Sequence, residues 1–400
     1  MTLSSANEPE SLRETKMPRR DWILLPMLSL LTVCLVAGSV ELTARHIFPQ
    51  LDTLGEDCMV FNDPVTGARG IPNSVCREKI PEGELTEYRF NSCGHRAGME
   101  CGPKAAGVYR IVMIGTSSTL GMRVPREKTF AASLPLELSQ RTGHEIELYN
   151  EAIPYRSPDT LALHFNEILK AEPDMILWGL YAGDIESQSQ VVAPNREIDL
   201  SFPVRVWHRI IATFATKSFA ASIQYFFRHT RIAVLLSDAL YTDQRQFVKS
   251  SLMATDHDIG YLKAEPSPEW QARLNEFDGN VTKFETQARA AGVPLVVFLL
   301  PAHAHADMII MGEWPAGFDP YKLDEELSSI VTSRGGTYID ILPDVRTTSN
   351  LQQGYFPFDG HLNARGHAIL SGILAKELTS GAVPALKVTT PPQAAMEGSR

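Results

Sequence analysis

The sequence has no run of lysine and arginine beyond its N-terminus, and acidic residues outnumber basic ones. Its 400 residues include 37 Lys and Arg against 47 Asp and Glu, a formal net charge of −10. Proteins that bind nucleic acids need a basic surface to neutralise phosphates, so we expect no nucleic-acid partner. Hydrophobic residues make up 44% and charged residues 21%. These values indicate a folded chain with a sizeable core rather than a disordered one.

Cysteine is also scarce, and the Cys-x-x-Cys spacing typical of zinc sites is absent from the sequence. Of the five cysteines, Cys34 lies in an apolar segment. The other four fall within residues 58–101, a stretch rich in Gly, Pro and Asn. An even number of cysteines predicts disulfides in an oxidising compartment. Of the three possible pairings we favour the sequential one, Cys58–Cys76 and Cys93–Cys101, and a zinc site is the alternative.

A long uncharged segment near the N-terminus predicts a membrane anchor. Residues 22–40 read WILLPMLSLLTVCLVAGSV, and as a helix they would span roughly 28 Å, close to the thickness of a bilayer core. Four basic residues precede the segment: Arg13, Lys16, Arg19 and Arg20. The positive-inside rule therefore predicts that residues 1–21 are cytoplasmic and that the rest is extracytoplasmic, in the periplasm. The alternative is a cleaved signal peptide that ends near residues 37–39.

Beyond the anchor, the pattern of apolar runs predicts an α/β domain. Residues 41–105 form an irregular lead-in stapled by the disulfides. Five short apolar runs then alternate with helical segments, at residues 109–115, 145–150, 175–179, 295–300 and 337–341. Strands that alternate with helices form a parallel sheet covered on both faces. We therefore predict a flavodoxin-like three-layer α/β/α sandwich with a five-stranded parallel sheet over residues 106–380, plus one N-terminal transmembrane helix.

Two segments do not belong to this alternation. Residues 185–269 are too long for a connection between two strands, and their apolar and aromatic stretches predict a helical insertion packed over one side of the site. Residues 381–400 are small, polar and proline-containing, so we expect a disordered tail.

Polar residues that directly follow strands are the candidates for chemistry, because sites in parallel sheets lie beyond the carboxyl ends of the strands. Ser117 follows the first strand in the segment GTSSTLG, on a turn into a helix. A serine needs a base to remove its proton. Asp359 and His361 stand before the last helix in FDGHLNARGH, where the Asp can orient the His ring. His367 is the alternative base.

At these segments the chain resembles the SGNH (GDSL-type) hydrolases, which include esterases, lipases and acyltransferases. The resemblance covers roughly residues 108–380. GTSSTLG is similar to the opening block of that family, with Thr116 in place of an Asp, and FDGHLNARGH is similar to its closing block. Residues 88–96, YRFNSCGHR, resemble the lead-in of membrane-anchored members. The resemblance implies that Ser117 is the nucleophile, with His361 as its base and Asp359 as the orienting residue.

Two middle blocks depart from the family pattern. The second strand leads into NEAIPY, where Tyr155 stands at a position usually held by glycine. The resemblance implies that the backbone N–H groups of Ser117 and Tyr155 form the oxyanion hole. The third block reads YAGD, so Gly183 replaces an asparagine whose side chain would donate to the oxyanion. Losing one such donor costs on the order of 10²–10³ in rate.

Four further residues are candidates for the rim of the substrate site: Gly183, Asp184, His303 and His305. The two histidines follow the fourth strand in PAHAHAD, and with Asp307 they offer a metal site as an alternative. We expect no metal and no cofactor.

Together these features predict a serine-dependent ester hydrolase that acts outside the cytoplasm. The expected substrate is an acyl ester, on an O-acetylated glycan or a lipid of the cell envelope, and the N-terminal helix is expected to contact the membrane. Two alternatives remain open. One is an O-acyltransferase on exported polysaccharide, and the other is a catalytically silent binding or assembly subunit with the same fold.

Overall fold

The structure is a computed structural model. It describes residues 18, 20–47, 55–63, 67–156, 158–185, 230–232, 234, 243–252, 259–348 and 350–388. Most of the predicted insertion 185–269, the first 17 residues and the end of the predicted tail lie outside the described residues. The described part of the insertion contains one helix, α5 (Gln244–Ser251).

A single parallel sheet forms the centre of the fold, as the sequence predicted. Its strands lie side by side in the order β6-β5-β7-β8-β9, and every neighbouring pair is parallel. Their bounds are β5 (Val108–Gly115), β6 (Glu145–Asn150), β7 (Met175–Tyr181), β8 (Leu295–Leu300) and β9 (Thr337–Ile339). Since β5, the first strand of this sheet along the chain, lies inside the sheet, the chain reverses its direction of winding there. Binding sites of such sheets form at this reversal.

Alternate residues of the strands face opposite sides of the sheet, which produces three layers. Ile111 and Met113 point towards one helical layer, and Val112 and Ile114 towards the other. The first layer contains α3 (Phe130–Thr142), α7 (His303–Met311), α9 (Leu342–Thr347) and α10 (Ala364–Glu377). The second contains α4 (Pro158–Lys170), α6 (Pro268–Ala291) and α8 (Lys322–Arg334). The α/β/α sandwich is thus confirmed.

The lead-in is more regular than expected. It contains two antiparallel hairpins, formed by β1 (Met59–Asp63) with β2 (Gly67–Gly70) and by β3 (Val75–Glu78) with β4 (Thr86–Arg89). The predicted disulfides Cys58–Cys76 and Cys93–Cys101 are both formed. The bonded cysteines are 18 and 8 residues apart. In the chain-entropy model, a disulfide that closes a loop of this length stabilises the fold by about 3 kcal/mol.

The lead-in packs directly on the segments that carry the predicted site. Tyr88 and Phe90 of the lead-in share one apolar cluster with Leu120 and Met122, which follow Ser117, and with Ile153, which follows β6. The lead-in therefore buries part of the turn that follows Ser117, although it contributes no strand to the sheet.

The predicted tail begins later than expected. Val383 and Leu386 are buried in the core beside α10, and residues 384–386 form a helical turn. The expectation of disorder from residue 381 is therefore wrong up to residue 388. Most residues of this segment are small or polar, but its apolar side chains Val383 and Leu386 complete the core, which composition alone does not indicate.

One helix is long and apolar enough to cross a membrane. It is α1 (Asp21–Ile47), which contains the predicted segment 22–40 and continues for seven residues beyond it. Every residue of the apolar segment 22–40 is exposed in the structure. By length and composition it is a candidate span or signal segment.

Candidate active site

Ser117 lies where the sequence predicts, on the turn that follows β5. It is the first residue of the short helix α2 (Ser117–Leu120), so its backbone N–H has no acceptor within the helix. Gly115 makes the turn possible, because a Cβ atom there would lie 2.5 Å from the carbonyl oxygen of Gly179 on the neighbouring strand. The Ser117 side chain is left partly exposed at the carboxyl edge of the sheet.

The structure brings Ser117, His361 and Asp359 into one hydrogen-bonded chain. Nε2 of His361 lies 2.9 Å from Oγ of Ser117, and Nδ1 of His361 lies 2.6 Å from Oδ1 of Asp359. In the tautomer that serves both contacts, Nδ1–H donates to the carboxylate and Nε2 accepts the serine proton. This is the geometry that activates a serine hydroxyl as a nucleophile.

Charged neighbours keep Asp359 ionised. Burial alone would raise its pKa, but the hydrogen bond and positive charge of His361, together with the Arg123 guanidinium, lower the pKa to about 2. Nε of Arg123 lies 3.3 Å from Oδ2 of Asp359. An ionised Asp359 can stabilise the imidazolium that forms when His361 takes a proton.

His367, the alternative base, does not reach Ser117. It is buried in α10, where its ring stacks on Phe130 and its Nδ1 accepts the backbone N–H of Phe130. Burial lowers its pKa to about 3. A neutral, enclosed imidazole that already has a backbone partner is a packing residue.

Tyr155 adopts the backbone conformation that its glycine-like position requires. Its φ is +61°, in the left-handed region that favours glycine. The side chain turns towards the lead-in, where the ring packs edge to face on Phe61 and the hydroxyl lies 3.4 Å from a Glu56 carboxylate oxygen. These contacts support a conformation that is costly for a residue with a Cβ atom. The assignment of the Tyr155 N–H to the oxyanion hole remains a prediction.

Asp184 is not a rim residue, contrary to the expectation. It is buried, and its carboxylate accepts the Thr116 hydroxyl at 2.6 Å and the Tyr181 N–H at 2.9 Å. Burial raises its pKa to about 7, although both hydrogen bonds oppose the rise. Asp184 thus ties the turn before Ser117 to the end of β7.

Gly183 lies in the helical turn after β7. Among the residues that the structure describes, a run of which ends two positions further on at residue 185, a Cβ atom at Gly183 would meet only the Tyr181 ring, at 3.4 Å. The described part of the fold therefore does not block a side chain at the position predicted to lack an oxyanion donor.

The two histidines after β8 do not face a shared rim, because they begin a helix rather than a loop. His305 is fully buried in α7, and its Nε2 donates to the carbonyl oxygen of Pro320. His303 stacks on Tyr355 and borders a cavity of about 890 Å³ together with Asp307. Burial lowers the pKa of each histidine to about 4. Within the described residues, no three His, Cys, Asp or Glu side chains are grouped so as to hold a metal ion.

Sequence reasoning missed the residues that hold the turn after Ser117. Arg96 is buried, and its guanidinium donates to the carbonyl oxygens of Leu120, Gly121 and Val124 at 2.7–3.0 Å. Burial lowers the pKa of Arg96 to about 10, well above neutrality, so it stays charged. The lead-in motif YRFNSCGHR ends on this arginine, and that resemblance was the available signal.

Comparisons with known proteins return esterases, lipases and acylhydrolases among solved structures. One is the psychrotrophic esterase EstA from Pseudoalteromonas sp., 10% identical, covering 67% of this chain and 96% of its own, with a TM-score of 0.34. A second is a mutant of the acetyl-xylooligosaccharide esterase Axe2 from Geobacillus stearmophilus, which is 12% identical, covers 68% of this chain and 94% of its own, and has a TM-score of 0.37. A third is a GDSL-like lipase from Bacteroides thetaiotaomicron, which is 10% identical, covers 67% of this chain and 86% of its own, and has a TM-score of 0.32. Likenesses this weak decide nothing about activity or substrate.

No family model and no curated protein matches the sequence.

Proposed function

We propose that this chain is a serine-dependent ester hydrolase that acts outside the cytoplasm. The observation that carries the proposal is the chain of two contacts, 2.9 Å from Ser117 to His361 and 2.6 Å from His361 to Asp359. An isolated serine is a common surface residue, whereas a serine, a histidine and an ionised carboxylate in this order perform acyl transfer on unrelated folds.

The reaction follows from these atoms. Oγ of Ser117 attacks the ester carbonyl carbon while Nε2 of His361 takes the hydroxyl proton, and Asp359 stabilises the resulting imidazolium. The tetrahedral oxyanion accepts hydrogen bonds from the backbone N–H groups of Ser117 and Tyr155. Collapse expels the alcohol, which receives the proton from Nε2, and a water molecule then hydrolyses the acyl-enzyme by the same steps.

The location outside the cytoplasm is part of the same proposal. Two disulfides suit an oxidising compartment, and the apolar helix α1 is preceded by basic residues that favour a cytoplasmic N-terminus. A membrane-anchored enzyme facing the periplasm would meet acyl esters of envelope glycans or lipids, and we propose these as its substrates.

Covalent labelling tests the catalytic part. We expect a fluorophosphonate probe to label the detergent-solubilised full-length chain, and to fail with Ser117→Ala and with His361→Ala. Ser118→Ala is the matched control, because Ser118 is the adjacent serine and its side chain is buried, so labelling should persist. Equal labelling of wild type and Ser117→Ala would contradict Ser117 as the nucleophile. No labelling together with no hydrolysis of aryl acetates would favour the silent subunit instead.

A further inference from the structure

The loop that carries Asp359 and His361 is held by a side chain from outside the α/β domain. Glu82 lies in the turn between β3 and β4 of the lead-in. One oxygen of its carboxylate accepts the backbone N–H of Phe358 at 2.7 Å, and the other accepts that of Asp359 at 3.0 Å. The contact therefore joins two parts of the chain that are about 277 residues apart.

The chemistry of this contact suits an anion. Two successive backbone N–H groups that point to one place form a concave site with partial positive charge, which binds negatively charged oxygens. A carboxylate satisfies both N–H groups at once, and charge makes such bonds stronger than neutral ones. Because the second N–H belongs to Asp359 itself, the contact fixes the peptide plane from which the Asp359 side chain projects.

The contacts within the loop itself act elsewhere. The N–H of Gly360 donates to the carbonyl oxygen of Phe356 at 2.9 Å, and the N–H of Phe356 donates to that of His361 at 2.8 Å. These bonds close the two ends of the turn on each other. Glu82 is the described side chain that binds the N–H groups of Phe358 and Asp359 in the middle of the turn.

A second contact from the lead-in reaches the Asp359 side chain through Arg123. The Arg123 guanidinium forms an ion pair with Glu78, which is buried at the end of β3, and it also lies beside Asp359. The Tyr88 hydroxyl donates to Glu78 at 3.0 Å and accepts the Arg123 N–H at 2.8 Å. The hairpin β3–β4 thus reaches Asp359 in two ways: directly at its backbone N–H, through Glu82, and indirectly at its carboxylate, through the Glu78–Arg123 ion pair.

We propose that Glu82 is a positioning residue of the active site, and that the lead-in is a working part of the enzyme rather than a spacer behind the anchor. The two hydrogen bonds described for Glu82 are with backbone N–H groups of the loop and not with Ser117. It acts through Asp359, whose carboxylate sets the orientation of the His361 ring towards Ser117. This proposal rests on the proposed function.

The substitution Glu82→Gln tests the contact with little change in shape. An amide offers one acceptor oxygen and one NH₂ group, so one of the two N–H groups would face another donor. We expect the Asp359 peptide to rotate and kcat for an aryl acetate to fall about 10- to 100-fold, the effect of displacing a reacting group by roughly 1 Å. KM should stay within about twofold, because Glu82 does not contact the ester.

The chain offers a matched control two residues away. Glu84 is an exposed carboxylate in the same turn, and it pairs with Lys128 rather than with the catalytic loop. Glu84→Gln should therefore leave kcat unchanged. Glu82→Asp keeps the charge but is shorter by one methylene group, and we expect it to recover part of the lost kcat.

A proton NMR signal separates this proposal from the proposed function. The proton on Nδ1 of His361, in the hydrogen bond that joins Nδ1 to Oδ1 of Asp359 at 2.6 Å, should give a far-downfield resonance in the wild type, absent in His361→Ala. This readout needs no turnover, so it tests the contact even if Ser117 proves unreactive. Loss or shift of the signal in Glu82→Gln, but not in Glu84→Gln, supports the proposal. An unchanged signal, or a kcat equal to that of Glu84→Gln, overturns it.

If Glu82→Gln fails to fold, Glu82→Asp is measured in its place by the same two readouts. A folded Glu82→Asp variant with wild-type kcat and an unchanged signal would also overturn the proposal, because a side chain that is one methylene group shorter cannot reach both N–H groups at the native distances.

Discussion

Two regions of this protein place an aspartate beside a histidine, and they do so with opposite electrostatics. In the catalytic loop, Asp359 pairs with His361, and its pKa is lowered to about 2. In α7, Asp307 lies 3.5 Å from His303, and burial raises its pKa to about 7 although Gln244 donates a hydrogen bond to it. The residue types are the same, so the surroundings decide the ionisation.

The difference comes from the partners rather than from burial alone. Asp359 has the Arg123 guanidinium beside it and a histidine partly open to solvent. Asp307 has a buried histidine whose own pKa is lowered to about 4 by burial, so the pair lacks a positive charge at neutral pH. A carboxylate without a compensating charge is costly in a low-dielectric interior. The first pair is prepared for proton transfer, and the second is a packing pair.

The largest effect that separates the two pairs is on catalysis. We expect Asp359→Asn to lower kcat for an aryl acetate by about 10⁴-fold, because the amide holds His361 in the wrong tautomer. Asp307→Asn should retain activity within a few-fold. Kinetics of both variants, with circular dichroism to verify folding, test this contrast. Comparable losses in the two variants would show that the pairs do not differ in role.

A smaller effect should follow from making Asp359 resemble Asp307. Arg123→Gln removes the positive charge beside Asp359, so its pKa should rise from about 2 towards that of an uncompensated buried acid. Because the carboxylate must be ionised to act, activity should then be lost at a higher pH on the acid side than in the wild type. We expect about a tenfold loss at pH 5, equivalent to about 1.4 kcal/mol, and less at pH 8.

Arg123→Lys is the control for that experiment, because it retains the charge at the cost of the guanidinium geometry. Its pH–activity profile should lie near that of the wild type. If Arg123→Lys and Arg123→Gln shift the acid limb equally, the charge is not what lowers the pKa of Asp359.

The smallest effect concerns stability at Asp307. Burial raises its pKa in the folded state to about 7, above its ordinary value of 3.8, so its contribution to stability is lost as the pH rises towards 7. The loss amounts to at most about 1.4 kcal/mol per pH unit. Asp307→Asn removes this pH-dependent loss, because the amide does not titrate. The free energy of unfolding of the variant minus that of the wild type should therefore be larger at pH 8 than at pH 5. Urea unfolding at the two pH values measures it, and a difference independent of pH would contradict a raised pKa.

The layout of the sheet could be predicted because buried parallel strands appear as continuous apolar runs in the sequence. Residues 145–150 and 295–300 matched their strands, and 175–179 fell two residues short of the end of β7. The last strand is shorter than predicted because Asp340 accepts the N–H of Leu342, which begins α9. The exact end of a strand can thus depend on a single hydrogen bond, which the periodicity of apolar residues does not predict.

The candidate site could be predicted only where its residues stand in a recognisable local pattern. Ser117 lies two residues after the end of β5, and Asp359 lies two residues before His361. The prediction that His303 and His305 lie on a loop and face one rim was wrong. The neighbouring alanines favour the helix that these residues form. Glu82 offers no such local cue, because its partners lie about 277 residues away.

By itself the sequence determined the layers of the fold, and it predicted Ser117, His361 and Asp359 as one set, because strands, helices and the residues at their ends follow short-range patterns. It left three disulfide pairings open, and the structure contains the favoured one. The tertiary structure alone decided which of the two Asp–His pairs is ionised and which side chains hold the catalytic loop. Those properties depend on desolvation and on charges that meet only after distant segments such as Glu78, Glu82 and Arg123 have packed together.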